Sequence, residues 1–127
     1  MRILIVEDEL AIAVRVETSL SEEGHQIVGI ARESEIALTL GRRLKPDLAL
    51  VDVHLVDGET GPEIGRHLKD MGVPVLFMTA DPDKLPDGMA GALGVIPKPI
   101  ADHLLKGAVQ WVNDRDADPP DTLILNR

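Results

Sequence analysis

A chain of 127 residues is long enough to bury one core, and its formal charge of −9 opposes electrostatic binding to nucleic acid or to anionic lipid. It has no cysteine, which excludes a disulfide framework and a thiolate metal site, and its only aromatics, Phe77 and Trp111, are too few for a base-stacking platform. No apolar run reaches the length of a membrane span or a signal peptide's apolar region, so a soluble, cytoplasmic domain is expected.

The first predicted element is a strand, Arg2–Val6, which runs straight into three acids, Glu7-Asp8-Glu9. Over Glu9–Glu23, Ile12, Ala13, Val16 and Leu20 recur at helical spacing, and Gly24 supplies a stop. His25–Ala31 is β-branched in character and reads as a second strand. Ser34 is placed to N-cap a helix carrying Ile36, Ala37, Leu40 and Leu44, which ends before Pro46. Leu48 to Val51, with Val53 beyond, is a strand buried on both faces that ends on Asp52. An unpaired carboxylate there is costly, so Asp52 either caps the next turn or sits in a polar crevice.

Thr60–Met71 reads as a helix with Ile64 and Leu68 inward. Val73–Thr79 and Gly94–Pro97 are further strands. Ile100 to about Arg115 is a last helix with Leu104, Leu105, Ala108, Val109 and Val112 on its apolar side. Between Thr79 and Lys98 a full helix and its loops barely fit. Pro82, Pro86, Gly88, Gly91 and Gly94 also punctuate that stretch, so a fourth helix there is expected to be short, irregular or mobile. The domain is expected to span residues 1–115. A tail over 116–127 breaks at Pro119-Pro120 and ends in Leu123-Ile124-Leu125, which either packs locally or reaches a partner.

Strands alternating with helices imply an α/β fold: a doubly wound, five-stranded parallel sheet with helices on both faces. In the flavodoxin-like order 2-1-3-4-5, ligands bind at the switch point between strands 1 and 3. Those two strands end in Glu7 and Asp8 on one side and Asp52 on the other. Three converging carboxylates repel one another unless a hard divalent cation sits among them, and Mg²⁺ takes oxygen ligands of this kind. The alternative, that the acids serve only to cap the first helix, is opposed by the second acidic strand end. Thr79 and Lys98, at the ends of strands 4 and 5, add a hydroxyl donor and an ammonium on the same edge. A cation site, a carboxylate, a hydroxyl and an ammonium together suit transfer of a phosphoryl group to Asp52.

Four motifs in order, Ile5-Val6-Glu7-Asp8-Glu9, Leu50-Val51-Asp52-Val53-His54-Leu55, Thr79-Ala80 and Pro97-Lys98-Pro99, resemble those of a response-regulator receiver domain of two-component signalling. The resemblance runs from Arg2 to about Asp114. It implies that Asp52 is the phospho-acceptor, and that Asp8 and Asp52 hold Mg²⁺ directly while Glu7 acts through water. The backbone carbonyl of His54 would complete the protein ligands. Thr79 and Lys98 would bind the phosphoryl group, Lys98 pairing with Asp52 beforehand. The Lys98-Pro99 peptide would often be cis. The side chains of His54 and Asp81 would flank the phosphoryl group and modulate its hydrolysis. The donor would be a histidine kinase or phosphotransfer protein, and the output a protein contact or onward transfer, with a homodimer also open.

Two positions and one stretch depart from the family pattern. Val95 stands where receivers commonly carry an inward-swinging aromatic, Val56 where proline is frequent, and Phe77-Met78-Thr79-Ala80 only partly matches the Phe-Ala-Thr-Gly strand of some single-domain receivers. The resemblance fills nearly the whole chain, so no separate output domain is expected within it. The alternative is a Mg²⁺-dependent phosphohydrolase with an aspartyl-phosphate intermediate, weakened because His54 stands where a second Asp would act as general acid. Trp111 is equally suited to the core and to a partner contact. His25, His67 and His103 are expected at the surface, without the convergent partners a histidine metal site needs.

Overall fold

Apolar residues alternate along the strands with a period of two, and the two sets face opposite ways. In the structure, a computed structural model that describes residues 1–126, those sets become two separate core layers on either side of one sheet. The strands are β1 (Arg2–Val6), β2 (Gln26–Ala31), β3 (Leu48–Asp52), β4 (Val75–Thr79), β5 (Gly94–Pro97) and β6 (Ile124–Leu125). The helices are α1 (Leu10–Glu22), α2 (Ser34–Leu44), α3 (Gly61–Asp70) and α4 (Asp102–Asn113). The strand order is β2-β1-β3-β4-β5-β6, with the first five parallel.

Ile3, Ile5, Leu48, Leu50, Leu76, Met78 and Ile96 face α1 and α4, where Ala13, Val16, Leu20, Leu104, Leu105 and Val109 meet them. Leu4, Val6, Ala49, Val51, Val75, Phe77 and Val95 face the other way, onto Ala37 of α2 and Ile64 and Leu68 of α3. Covering both faces is why the strands read as continuous apolar runs. The interstrand register brings Val6 beside Val51, Asp52 beside Met78, and Thr79 beside Pro97. The residues that follow these strands therefore emerge together along one edge. Among the described residues, no helix is long and apolar enough to cross a membrane.

The tail adds one strand to the expected five and decides two readings left open above. The sheet has six strands, because the tail returns antiparallel against β5 and pairs Ile124 with Val95 and Leu125 with Gly94. Leu123 is buried in the same core layer as Trp111, and the Asn126 side-chain amide donates to the carbonyls of Gly88 (3.0 Å) and Ala92 (2.7 Å). The tail thus packs locally. Trp111 belongs to the core, 8% exposed, with the Arg115 guanidinium 4.5 Å above its ring.

The expected disruption of a fourth helix before β5 is seen. Two short 3₁₀ turns, Pro82–Lys84 and Asp87–Gly91, replace it. Gly88, Met89, Ala90 and Gly91 all have positive φ, a left-handed run that Met89 and Ala90 enter against their preference. The Asn126 amide ties the carbonyl of Gly88, the first residue of that run, to that of Ala92, just past its end.

Ser34 does not cap its own helix. It is the first residue of α2, and its backbone N–H donates to the carboxylate of Asp57, from the loop after β3 (3.2 Å).

Candidate functional site

At the carboxyl edge of the sheet, Asp8, Glu9, Asp52, His54, Leu55, Thr79, Ala80 and Lys98 line a cleft of about 280 Å³. The polar groups arrive there from the ends of four strands. β1 ends one residue before Glu7, so the two following acids straddle the edge: Glu7 is fully buried and Asp8 partly open. β3 delivers Asp52, 4% exposed, and β4 delivers Thr79, 1% exposed. β5 leads into Lys98, whose N–H donates to the Thr79 carbonyl at 3.0 Å, and whose peptide bond to Pro99 is cis.

The ammonium of Lys98 organises the acids. Its Nζ lies 2.7 Å from Glu7 Oε1 and 3.4 Å from Asp52 Oδ1, so the closer ion pair is with Glu7 rather than with Asp52 as expected. The other Glu7 oxygen accepts the Glu9 N–H at 3.3 Å. Burial pushes the Glu7 carboxyl up to about 7; the Lys98 hydrogen bond opposes this, and the nearby Asp52 adds to it. Burial works against the Lys98 ammonium as well. The Glu7 hydrogen bond and the Asp52 charge outweigh it and hold the Lys98 pKa above its ordinary value.

Ligand oxygens of Glu7, Asp8 and Asp52 lie within 4.8 Å of one another. One lysine cannot balance three carboxylates gathered so closely. An all-oxygen donor set of this charge and spacing fits a hard divalent cation such as Mg²⁺, and it does not suit a softer metal.

The other expected residues divide. The backbone N–H of His54 points back at Asp52 Oδ1 (3.4 Å), while its ring is exposed and faces the Glu59 carboxylate at 3.6 Å. The Asp81 N–H donates to Thr79 Oγ1 at 3.0 Å, which fixes that hydroxyl, but Asp81 does not line the cleft. Val95 is wholly buried between Phe77 and Ile124 in the sheet and does not line it either. His67 and His103 are exposed, as expected. His25 is half-buried and accepts a hydrogen bond from the Met1 amine at 2.9 Å through Nδ1.

Sequence reasoning missed Asp57. Its carboxylate takes Ser34 Oγ–H at 2.6 Å on one oxygen and Thr60 Oγ1–H at 2.7 Å on the other. The only signal was an Asp-Gly pair in a loop, which is common in turns of every kind.

The cluster of strand-end acids, hydroxyl and lysine on a 2-1-3-4-5 sheet defines the receiver class, and the comparisons agree. The family model described as the response regulator receiver domain matches residues 3–110, and the chain belongs to that family. The phyllosphere-induced regulator PhyR of Methylorubrum extorquens is 39% identical over 88 residues, covering 68% of this chain and 33% of that protein. The DNA-binding response regulator MtrA of Mycolicibacterium smegmatis is 33% identical over 123 residues, or 94% of this chain and 53% of that one. Among solved structures, the receiver domain of Erythrobacter litoralis PhyR superposes with a TM-score of 0.81 at 27% identity, covering 95% of each chain. The anti-anti-sigma factor PhyR from Bartonella quintana gives a TM-score of 0.77 at 30% identity over 91% of this chain and 48% of that one. The chain spans about a third to a half of the curated relatives it matches first.

Proposed function

We propose that Asp52 accepts a phosphoryl group from a phosphohistidine on a histidine kinase or phosphotransfer protein, and that the chain passes the signal on by protein contact or onward transfer. The observation that carries this reading is the meeting of Asp52, Thr79 and Lys98 in one open cleft beside two more acids. A carboxylate oxygen of Asp52 attacks phosphorus, the P–N bond breaks, and its electron pair stays on the donor's imidazole nitrogen. Thr79, its hydroxyl oxygen already held by the Asp81 N–H, turns its proton toward a phosphoryl oxygen. Lys98 needs only a small movement from Glu7 and Asp52 to meet another.

Asp8 and Asp52, with the His54 carbonyl, would hold Mg²⁺ directly, and Glu7 would act through water. When bound, the ion neutralises charge on the phosphoryl oxygens. The side chains of His54 and Asp81, which follow the acceptor and Thr79 by two residues, would modulate water access and so the lifetime of the acyl phosphate. Val95 removes the aromatic that would otherwise swing inward, so the signal leaves through the segment after Thr79. The acidic surface agrees with a protein partner and not a nucleic acid, and the site of action is cytoplasmic.

Turnover as a phosphohydrolase is the weaker reading, because the exposed His54 ring, paired with Glu59, replaces the acid which that chemistry needs. The test is incubation with acetyl phosphate and Mg²⁺ followed by intact-mass measurement. One added phosphoryl group, absent from Asp52→Asn, is expected; an unchanged mass refutes the mechanism.

A further inference from the structure

The loop between Asp52 and α3 forms one wall of the cleft and carries the His54 carbonyl, yet little apolar burial holds it. Leu55 is buried, while Val56, Asp57, Gly58 and Glu59 are exposed. Its shape rests on polar ties. Leu55 and Gly58 exchange a pair of backbone hydrogen bonds of 2.8 and 2.9 Å, and Gly61 N–H donates to the Val53 carbonyl at 3.1 Å. These ties close the loop on itself; toward the body of the domain it has the buried Leu55 and an exposed Glu59–Lys84 ion pair of 3.7 Å, which leaves the tip of the loop in need of a firmer anchor.

Asp57 supplies that anchor. One carboxylate oxygen accepts both the N–H of Ser34 (3.2 Å) and its hydroxyl (2.6 Å), at the first turn of α2. The other accepts the Thr60 hydroxyl at 2.7 Å, at the start of α3. The Ser34 hydrogen bond, then that of Thr60, holds the Asp57 carboxyl below its ordinary value, so it is ionised at neutral pH and favourably placed at a helix N-terminus.

On the reading that Asp52 is the phospho-acceptor, we propose that Asp57 is a positioning residue: it clamps the cleft-wall loop to α2 and α3 and so fixes the His54 carbonyl relative to Asp8 and Asp52. The clamp also makes the first turn of α2 move with the cleft wall. A phosphoryl group that shifted the wall would thereby be felt at Ser34, on the opposite side of β1 from the segment after Thr79.

The test compares Asp57→Ala, Asp57→Asn and the unaltered protein in three measurements: Mg²⁺ affinity by calorimetry, the rate of phosphoryl uptake from acetyl phosphate, and urea unfolding. Partners that orient a metal's ligands are worth roughly tenfold or more in affinity, so Asp57→Ala should weaken Mg²⁺ binding and slow uptake by about tenfold. Asp57→Asn keeps oxygen acceptance toward Ser34, and its amide can rotate to suit Thr60, so it should recover most of both. The urea midpoint, which a purely structural role would move, should shift little, because the lost bonds are solvent-exposed. Removing the same bonds from the other side, with Ser34→Ala and Thr60→Val together, must reproduce the defect even if Asp57→Ala does not fold. Mg²⁺ affinity and uptake within about twofold of the unaltered protein, or an Asp57→Asn variant as impaired as Asp57→Ala, overturns the proposal. Failure of the unaltered protein to take up a phosphoryl group overturns the reading of Asp52 instead, and the Mg²⁺ titration still decides on Asp57.

Discussion

Replacing Lys98 by methionine removes the one ammonium that balances the acids at the sheet edge. Its Nζ sits 2.7 Å from Glu7 and 3.4 Å from Asp52, and these three side chains are 15%, 0% and 6% exposed. At an effective dielectric of about 20, those separations correspond to gross attractions of about 6 and about 5 kcal/mol. Most of that repays desolvation, and the measured cost of stripping one partner from a buried pair is about 3 to 5 kcal/mol. Lys98→Met should therefore lower the unfolding free energy in EDTA by about 3 kcal/mol near pH 8. The loss should shrink near pH 5, because Glu7 takes up a proton and leaves less charge to balance. Saturating Mg²⁺ should recover part of the loss near pH 8, and the variant should bind Mg²⁺ more tightly, since a competing positive charge is gone. Urea titrations followed by circular dichroism at the two pH values, with and without Mg²⁺, supply all four numbers. An equal loss at both pH values would refute the assignment of the effect to Glu7.

The pH dependence of the unaltered protein follows from the same carboxyl. The folded state holds the Glu7 proton up to about pH 7, whereas the unfolded chain releases it near 4.5. Between those values the folded state binds more protons, so stability in EDTA should fall as pH rises, by up to about 3 kcal/mol, and level off above pH 7. A flat profile for unaltered protein, or an unchanged slope in Glu7→Gln, would contradict this. Gly61→Ala would place a Cβ 2.2 Å from the Asp52 carbonyl oxygen and 2.5 Å from Val53 Cα. Both are backbone atoms, so α3 must retreat from β3; a loss of about 2 kcal/mol or more and slower phosphoryl uptake are expected, and an unchanged melting temperature would show the contact to be soft. Gly94→Ala would bring a Cβ 2.5 Å from the Ile124 carbonyl oxygen. It should lift β6 from β5, with exchange protection lost at the Asn126 N–H, which bonds the Leu93 carbonyl, and kept at β3.

Much of the fold was legible because it rests on local pattern. The apolar runs before Glu7 and Asp52, the helical spacing of Ala13, Val16 and Leu20, and the stops at Gly24 and Pro46 each act within a few residues. The parallel topology follows from their alternation. The cleft was legible for the same reason, because a parallel sheet aligns its carboxyl ends and every chemical group sits at one of them. The proline and glycine content after Thr79 was enough to rule out a regular helix there, although not to show a left-handed run at Gly88–Gly91.

Tertiary structure decided what depends on groups distant in sequence. Lys98 prefers Glu7 to Asp52 because β1 leaves Glu7 fully enclosed, where its charge has no water to answer it. Trp111 and Leu123 of the returning tail both joined the core layer beneath α1 and α4, and the sheet gained a sixth strand by the same return. The cap of α2 comes from Asp57, across a loop, and not from the adjacent Ser34. Residue type and spacing fix what chemistry a strand end can offer. Which partner answers each charge is set by three-dimensional proximity and burial, and neither is written in local spacing.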